Sequence, residues 1–226
     1  MKKRFRSWGG RRKGAGRPRS DKPPVPHRTR AHTNRGRVVH IAMRVRPRVI
    51  SLRSQRSFRV IEKAFRAWQE RKGFRLLHFS VMGNHVHLVV EAKSASTLAR
   101  AAQGISIRIA KGLNAIMGSR GSVFAGRYFN RVLTTTRQVR TLLAYVLNNA
   151  RHHELVENVA DDWVDEFSSA HAFDGWTKPV RTNAQAPPPV VEGESWLMKR
   201  WRDSGGSIAP DFVPGRGDVV DHPAAA

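Results

Sequence analysis

The sequence predicts an α+β fold, a ferredoxin-like split β-α-β antiparallel sheet with one helix added at its C-terminal end. Three observations carry that prediction. Strand and helix periodicities alternate as β-α-β-β-α-β-α between residues 38 and 150, the two middle strands are separated by only a turn, and both longer helices have a single apolar stripe.

Residues 38–45 (VVHIAMRV) read as the first strand, and residues 57–71 as an amphipathic helix, with Phe58, Ile61, Phe65 and Trp68 at i, i+3, i+7 and i+10. After Gly73, residues 74–81 form a second strand. Met82, Gly83 and Asn84 make a turn, and residues 86–90 a third strand, so these two pair as a hairpin. Ser96 is expected to cap the next helix, which runs to about Met117 with Leu98, Ala102, Ile105, Ile109, Leu113 and Ile116 on one stripe. Its other face offers Arg100, Arg108 and Lys111 to solvent or phosphate. A short strand at 128–133 and a last helix from Thr136 to about Ala150, with Val139, Leu142, Leu143 and Val146 inward, complete the set. Many unrelated functions use this topology, so the fold by itself selects none of them.

The chain has 226 residues, with 41 Lys and Arg against 17 Asp and Glu, a formal charge of +24 and a pI near 11.8. This composition excludes an ordinary neutral enzyme and suits one core of about 100–150 residues with appendages. Cysteine is absent, which removes disulfides, thiolate zinc sites and cysteine nucleophiles. No run approaches the ~18 apolar residues of a membrane span, and the basic N-terminal residues lead into more arginine, so a cytoplasmic, nucleoid-associated protein with no membrane partner is expected.

The charge is segregated: residues 1–37 carry +13, residues 38–150 carry +17 and residues 151–226 carry −6. A field of that size attracts polyanions and releases their counterions, which makes nucleic acid the leading partner. Residues 1–36 are rich in Gly, Pro and Arg and read as a flexible basic DNA-binding arm with Arg12, Lys13 and Arg17 as phosphate or groove contacts. Gly16-Arg17-Pro18 is like a minor-groove hook, with Ala15 where the usual preceding arginine would stand; a non-specific phosphate-binding tail is the plainer reading. Residues 37–152 form the folded domain, 153–180 an acidic, aromatic segment expected to pack on it, and 181–226 a tail expected to be flexible.

His85 and His87 stand at i, i+2 in GNHVHLVVE, so a strand places both imidazoles on one sheet face, ~7 Å apart at Cα. Val86, Leu88 and Val90 then point to the helix-covered face, and the histidines to the open side of the sheet. Two imidazoles so placed can grip one ion, although a chain with ten histidines also produces such a pair as plain surface residues. There are only two tyrosines, Tyr128 and Tyr145. Tyr145 and Asn149 are four residues apart in the last helix and share a face; if that face meets the histidines, Asn149 supplies a third ligand and Tyr145 a phenol beside the metal. The plainer reading makes Tyr145 a core aromatic with its hydroxyl satisfied.

At this point a resemblance becomes specific. MGNHVHLVVE resembles the M-x-N-H-x-H-L motif of single-tyrosine HUH transposases, and TLLAYVLNNARHH resembles their Y-x-x-x-N/Q helix. GGRRKGAGRP, VVHIAMRVR, VFAGRYFNRVL and the later FSS are similar to segments of REP-associated tyrosine transposases, so the resemblance spans roughly residues 9–176. The family's usual proline before the motif asparagine is Gly83 here, and Asn149-Ala150-Arg151 stands for its N-P-V, which leads us to expect a longer catalytic helix.

The resemblance implies a DNA strand transferase that cleaves and rejoins single-stranded DNA at hairpin sequences through a 5′-phosphotyrosine link. It implies Tyr145 as nucleophile and His85, His87 and Asn149 as ligands of Mg²⁺ or Mn²⁺, in a monomer or homodimer. DNA contacts are expected from the arm, from Arg100, Arg108 and Lys111, and from Arg127 and Arg131 in GRYFNR, with Tyr128 and Phe129 either stacking on bases or packing in the core. Two alternatives stay open: a non-catalytic nucleic-acid-binding ferredoxin-like protein, and a metal-dependent phosphodiesterase in which water attacks.

Overall fold

A computed structural model of the chain describes residues 37–153 and 159–215. The expected arm, with Arg12, Lys13 and Arg17, lies outside the described residues, as does the last part of the tail.

The elements are β1 (Arg37–Arg44), α1 (Gln55–Arg66), β2 (Glu70–Arg71), β3 (Phe74–Val81), β4 (His85–Ala92), α2 (Ala95–Met117), β5 (Phe129–Val132), α3 (Thr136–Leu147), α4 (Asn149–His152) and α5 (Trp196–Arg200). The sheet order is β2-β3-β4-β1-β5, with every pair antiparallel. Apart from the added β2, this is the split β-α-β order expected from the sequence. α1 ends earlier than the apolar spacing suggests: Ala67 closes it, and Glu70 and Arg71 pair with Arg75 and Phe74 instead of continuing the helix.

One face of the sheet is covered by α1 and α2. Val39, Ile41, Met43, Val86, Leu88 and Val90 meet Phe58, Ile61, Phe65, Leu98, Ile105 and Ile109 in one apolar cluster. Each helix is capped by a serine just before it: Ser54 accepts from the Ser57 N–H, and Ser94, rather than the expected Ser96, accepts from the Thr97 N–H. The two helices approach closely because α2 carries Gly104 and Gly112 on the shared side. A Cβ there would lie 2.2 Å from the Trp68 ring and 2.3 Å from Val60.

The other face is not open. Val38, Leu77 and Val89 form a second apolar cluster with Val139, Leu142, Leu143 and Val146 of α3 and with Val164, Ala170, Phe173, Trp201 and Ile208. β1 and β4 are therefore buried on both sides, which explains why their residues read as nearly continuous apolar runs instead of a clean alternation.

The segment from residue 159 onward closes the free edge of β3: Val81 donates to the Phe167 carbonyl, and Phe79 and Ser169 exchange backbone and hydroxyl hydrogen bonds. Phe167-Ser168-Ser169, the FSS of the sequence, is thus an edge-pairing strip. Asp165, 2% exposed, receives a bidentate Arg53 guanidinium at 2.7 and 2.9 Å. Arg53 also donates to the Val81 carbonyl and lies over the Phe167 ring, so it ties the head of α1 to both β3 and this strip.

The expectation of a flexible tail from residue 181 does not fit residues 181–215. Trp201 and Ile208 are buried, and the Glu91 carboxylate accepts from the N–H groups of Glu194 and Ser195 at the entry to α5. Those anchors are backbone hydrogen bonds and isolated aromatics, which leave no period in the sequence.

His78, half-buried between Ser169 and the edge of Phe173, has its pKa lowered from 6.5 to about 4 by burial, against an opposing pull from Asp174. Below pH 6.5 the unfolded chain takes up a proton that the native state refuses. Stability is therefore full above that pH and is lost as pH falls toward 4, then levels off. We expect urea unfolding to show a loss of about 1–2 kcal/mol from this residue between neutral and mildly acidic pH. A His78→Gln variant with the same acid sensitivity as wild type contradicts the assignment.

Candidate active site

β4 opens with His85 and His87, and the antiparallel register sets what surrounds them. Ala42 lies opposite His87, Arg44 opposite His85, and His40, opposite Val89, follows two residues from Ala42 on the same face of β1. His87 is fully buried, and its Nδ1 is 2.9 Å from His40 Nε2, with the two rings nearly parallel at 14°. His85, at the rim, has Nδ1 2.7 Å from Asn84 Oδ1. A carboxamide oxygen only accepts, so this contact places the His85 proton on Nδ1.

The turn that presents the histidines is held from outside. Val45 donates to the Asn84 carbonyl, Leu52 to the Gly83 carbonyl, and Met82 to the His85 carbonyl. A Cβ at Gly83 would meet only Ser51 Oγ, at 3.9 Å, so this position does not require glycine.

α3 brings Tyr145 onto the same face. Its ring stands perpendicular to that of His87 with centroids 5.4 Å apart, and edge-on to His40 at 6.5 Å. Tyr145 is 3% exposed, and burial pushes its phenol from 10.0 up to about 12. The phenol and the histidine pair come from one chain.

The last helix does not run unbroken to residue 150. α3 ends at Leu147, Asn148 caps it with φ −103° and ψ 18°, and α4 restarts at Asn149. The Asn148 side chain donates to the Phe212 carbonyl at 2.8 Å. Beyond this joint, the His152 ring reaches Tyr145 at 5.2 Å and the His153 ring reaches His85 at 5.7 Å. Asn149 begins α4 fully buried, and neither its amide oxygen nor its nitrogen has a hydrogen-bond partner among the described residues. An amide left so is costly unless something outside the chain completes it.

Among the described residues, no three His, Cys, Asp or Glu side chains are grouped to hold a metal ion. A cation here would use two imidazoles and the unpartnered Asn149 carboxamide, all neutral donors. That set fits a divalent ion that must also bind a phosphate, because its charge stays uncancelled.

The basic candidates separate into two groups. Arg131 lies opposite His40 in the β1–β5 register and therefore on the histidine face, and Arg127 is exposed just before β5. Arg100, Arg108 and Lys111 are exposed on α2, which covers the opposite face, so the sheet stands between them and the histidines. Phe129 sits edge-on to His40 at 5.8 Å. Tyr128 is half-buried and packs against the α1/α2 cluster, in keeping with the core-packing reading.

Sequence reasoning assigned no role to His40, Arg44, His152 or His153, and gave Asn84 only as a turn residue and the motif asparagine. His40 was hidden in a run, residues 38–43, that is buried throughout, and Arg44 became meaningful only once the register put it opposite His85.

The site thus lies on an antiparallel α+β sheet covered on both faces, with a His-x-His strand beside a tyrosine helix, and comparison with known proteins gives the chain a family. Residues 35–149 match the family described as transposase IS200 like, and the chain belongs to that family. Membership implies a DNA-cleaving enzyme with a role in transposition. Among solved structures, that of a REP-associated tyrosine transposase bound to a REP hairpin is similar, with 17% identity, 66% of this chain and 84% of that chain covered, and a TM-score of 0.53. This similarity establishes the shared fold. A transposase candidate from Deinococcus radiodurans is 14% identical over 46% of this chain and 85% of that one, with a TM-score of 0.37, too low to support an argument. No curated protein matches the chain. No helix among the described residues is long and apolar enough to cross a membrane.

Proposed function

We propose that this chain cuts and rejoins single-stranded DNA beside a hairpin, as a REP-associated tyrosine transposase would, with Tyr145 as the nucleophile. The observation that carries this reading is the perpendicular placement of the Tyr145 ring 5.4 Å from His87 within one chain of a DNA-cleaving family. The similar solved protein is bound to a REP hairpin, and a DNA hairpin is the substrate class proposed here.

His85, His87 and Asn149 would hold a divalent cation, Mg²⁺ or Mn²⁺, which when bound supplies a Lewis acid for the phosphate oxygens. The Tyr145 oxygen attacks phosphorus, the bond from phosphorus to the 3′ oxygen breaks, the phenolic proton is lost and the leaving oxygen takes one up. The products are a 5′-phosphotyrosine and a free 3′-hydroxyl, and the reverse reaction rejoins the strand without an external energy source. Asn84 sets the His85 tautomer, and the packing of α3 orients the phenol. Arg44, Arg127 and Arg131 are the proposed phosphate contacts at the cut, in the nucleoid, while Arg100, Arg108 and Lys111 have no role at that position. Tyr145 lies beside the histidine pair of its own chain, which supports attack in cis, in a monomer or within each subunit of a homodimer.

The test is incubation of the full chain with Mn²⁺ and a hairpin oligonucleotide bearing a single-stranded flank, followed by denaturing electrophoresis and mapping of the attached residue. Protein linked through Tyr145 is the expected product. Free DNA ends with no attached protein indicate a hydrolase, and binding that is insensitive to chelation and to changes at His85 or His87 indicates a binding module; either result overturns the reading.

A further inference from the structure

The geometry points to His40 as a positioning residue that fixes the tautomer and ring plane of His87, an assignment that rests on the proposed reading of His87 as a cation ligand. The observation is the buried contact between His40 Nε2 and His87 Nδ1 at 2.9 Å, with the two imidazole planes within 14° of each other. Two neutral imidazoles joined in this way share one proton between the bonded nitrogens, so one ring donates and the other accepts. If His40 donates, the His87 proton sits on Nε2 and that nitrogen has no lone pair to offer. If His87 donates from Nδ1, its Nε2 carries the lone pair.

The second arrangement is the one that matches His85, whose Nδ1 faces the Asn84 carboxamide oxygen at 2.7 Å. Both imidazoles of the strand are then gripped at Nδ1 by a neighbour from outside the His-x-His motif, and both present Nε2 with the same chemistry. The fold makes the grip on His87 rigid. His40 is 5% exposed in β1, hydrogen-bonded on one side to β4 and on the other to β5, with Phe129 edge-on to its ring at 5.8 Å. The pairing fixes its backbone, and burial against His87, Phe129 and Tyr145 restrains its ring. A second residue that orients a metal-binding histidine through its other ring nitrogen commonly changes metal affinity by 10–100-fold when removed.

The experiment uses the full chain, labelled with ¹⁵N-histidine and free of metal and DNA, at mildly alkaline pH. Two-bond proton–nitrogen correlation spectra report which nitrogen of each imidazole carries hydrogen, and the His87 signals are identified by their loss in His87→Asn. His87 is expected to be protonated on Nδ1 and bare on Nε2; protonation on Nε2 overturns the assignment. In parallel, Mn²⁺ binding is followed by electron paramagnetic resonance. His40→Phe, which keeps a ring but has no acceptor, is expected to weaken Mn²⁺ binding by about 10–100-fold, and His40→Gln, whose carboxamide oxygen accepts the same N–H, to stay within about threefold of wild type. Equal Mn²⁺ affinity for His40→Phe and wild type also overturns it. If wild type itself takes up no Mn²⁺, the cation in the proposed function fails, and the tautomer spectrum still decides what His40 does to His87.

Discussion

Tyr145→Phe is expected to abolish the covalent protein–DNA product, lowering its rate of formation by on the order of 10³-fold or more, while hairpin binding stays within about threefold. The variant removes one oxygen and keeps the ring that packs against His40, His87 and His152, so the fold supplies no competing explanation for the loss. The same burial that holds the ring keeps the hydroxyl protonated. With the phenol pushed up to about 12, about one molecule in 10⁵ carries a phenolate at neutral pH. Adduct formation should therefore rise with pH across the neutral and alkaline range in single-turnover assays on wild type. Persistence of the adduct in Tyr145→Phe would mean that another residue attacks.

Asp165→Ala is expected to cost about 2–4 kcal/mol of folding stability, somewhat less than a wholly enclosed ion pair because Arg53 keeps 17% of its side chain in solvent. The variant strands a guanidinium that spans Asp165, the Val81 carbonyl and the Phe167 ring. At roughly 2–4 °C per kcal/mol, the melting temperature should fall by roughly 5–15 °C. Arg53→Met combined with Asp165→Leu should recover part of that loss, since a packed apolar pair leaves no unpaired charge. A melting temperature for Asp165→Ala within about 2 °C of wild type would show that the contact is carried by solvent instead.

Much of the layout could be read from periodicity. The first helix, the β3–β4 hairpin and the long second helix each carry an apolar repeat over two turns or a whole strand, and their positions in the fold agree to within a few residues. The His85–His87 pair was legible because a strand's period of two forces both rings to one face. What periodicity cannot express is what lies over that face. The sequence suggested an open side, and the structure closes it with α3, Trp201 and Ile208. β2 is two residues long, too short for any pattern, and the break at Asn148 depends on one backbone angle and a side chain reaching Phe212. His40 illustrates the same limit. Its partner is 47 residues away, and only strand pairing makes them neighbours.

Because helices cover the sheet on both sides, β4 meets solvent, among the described residues, at its beginning, where His85 stands beside the exposed Arg44 of β1. On the proposed function, a nucleic acid strand would have to be delivered end-on to a lip rather than spread across a platform, with only the linkage being cut entering. Grip and cutting are thereby separable: changes on the outer surface of α2 should alter how long a substrate stays without altering how fast a seated linkage is severed.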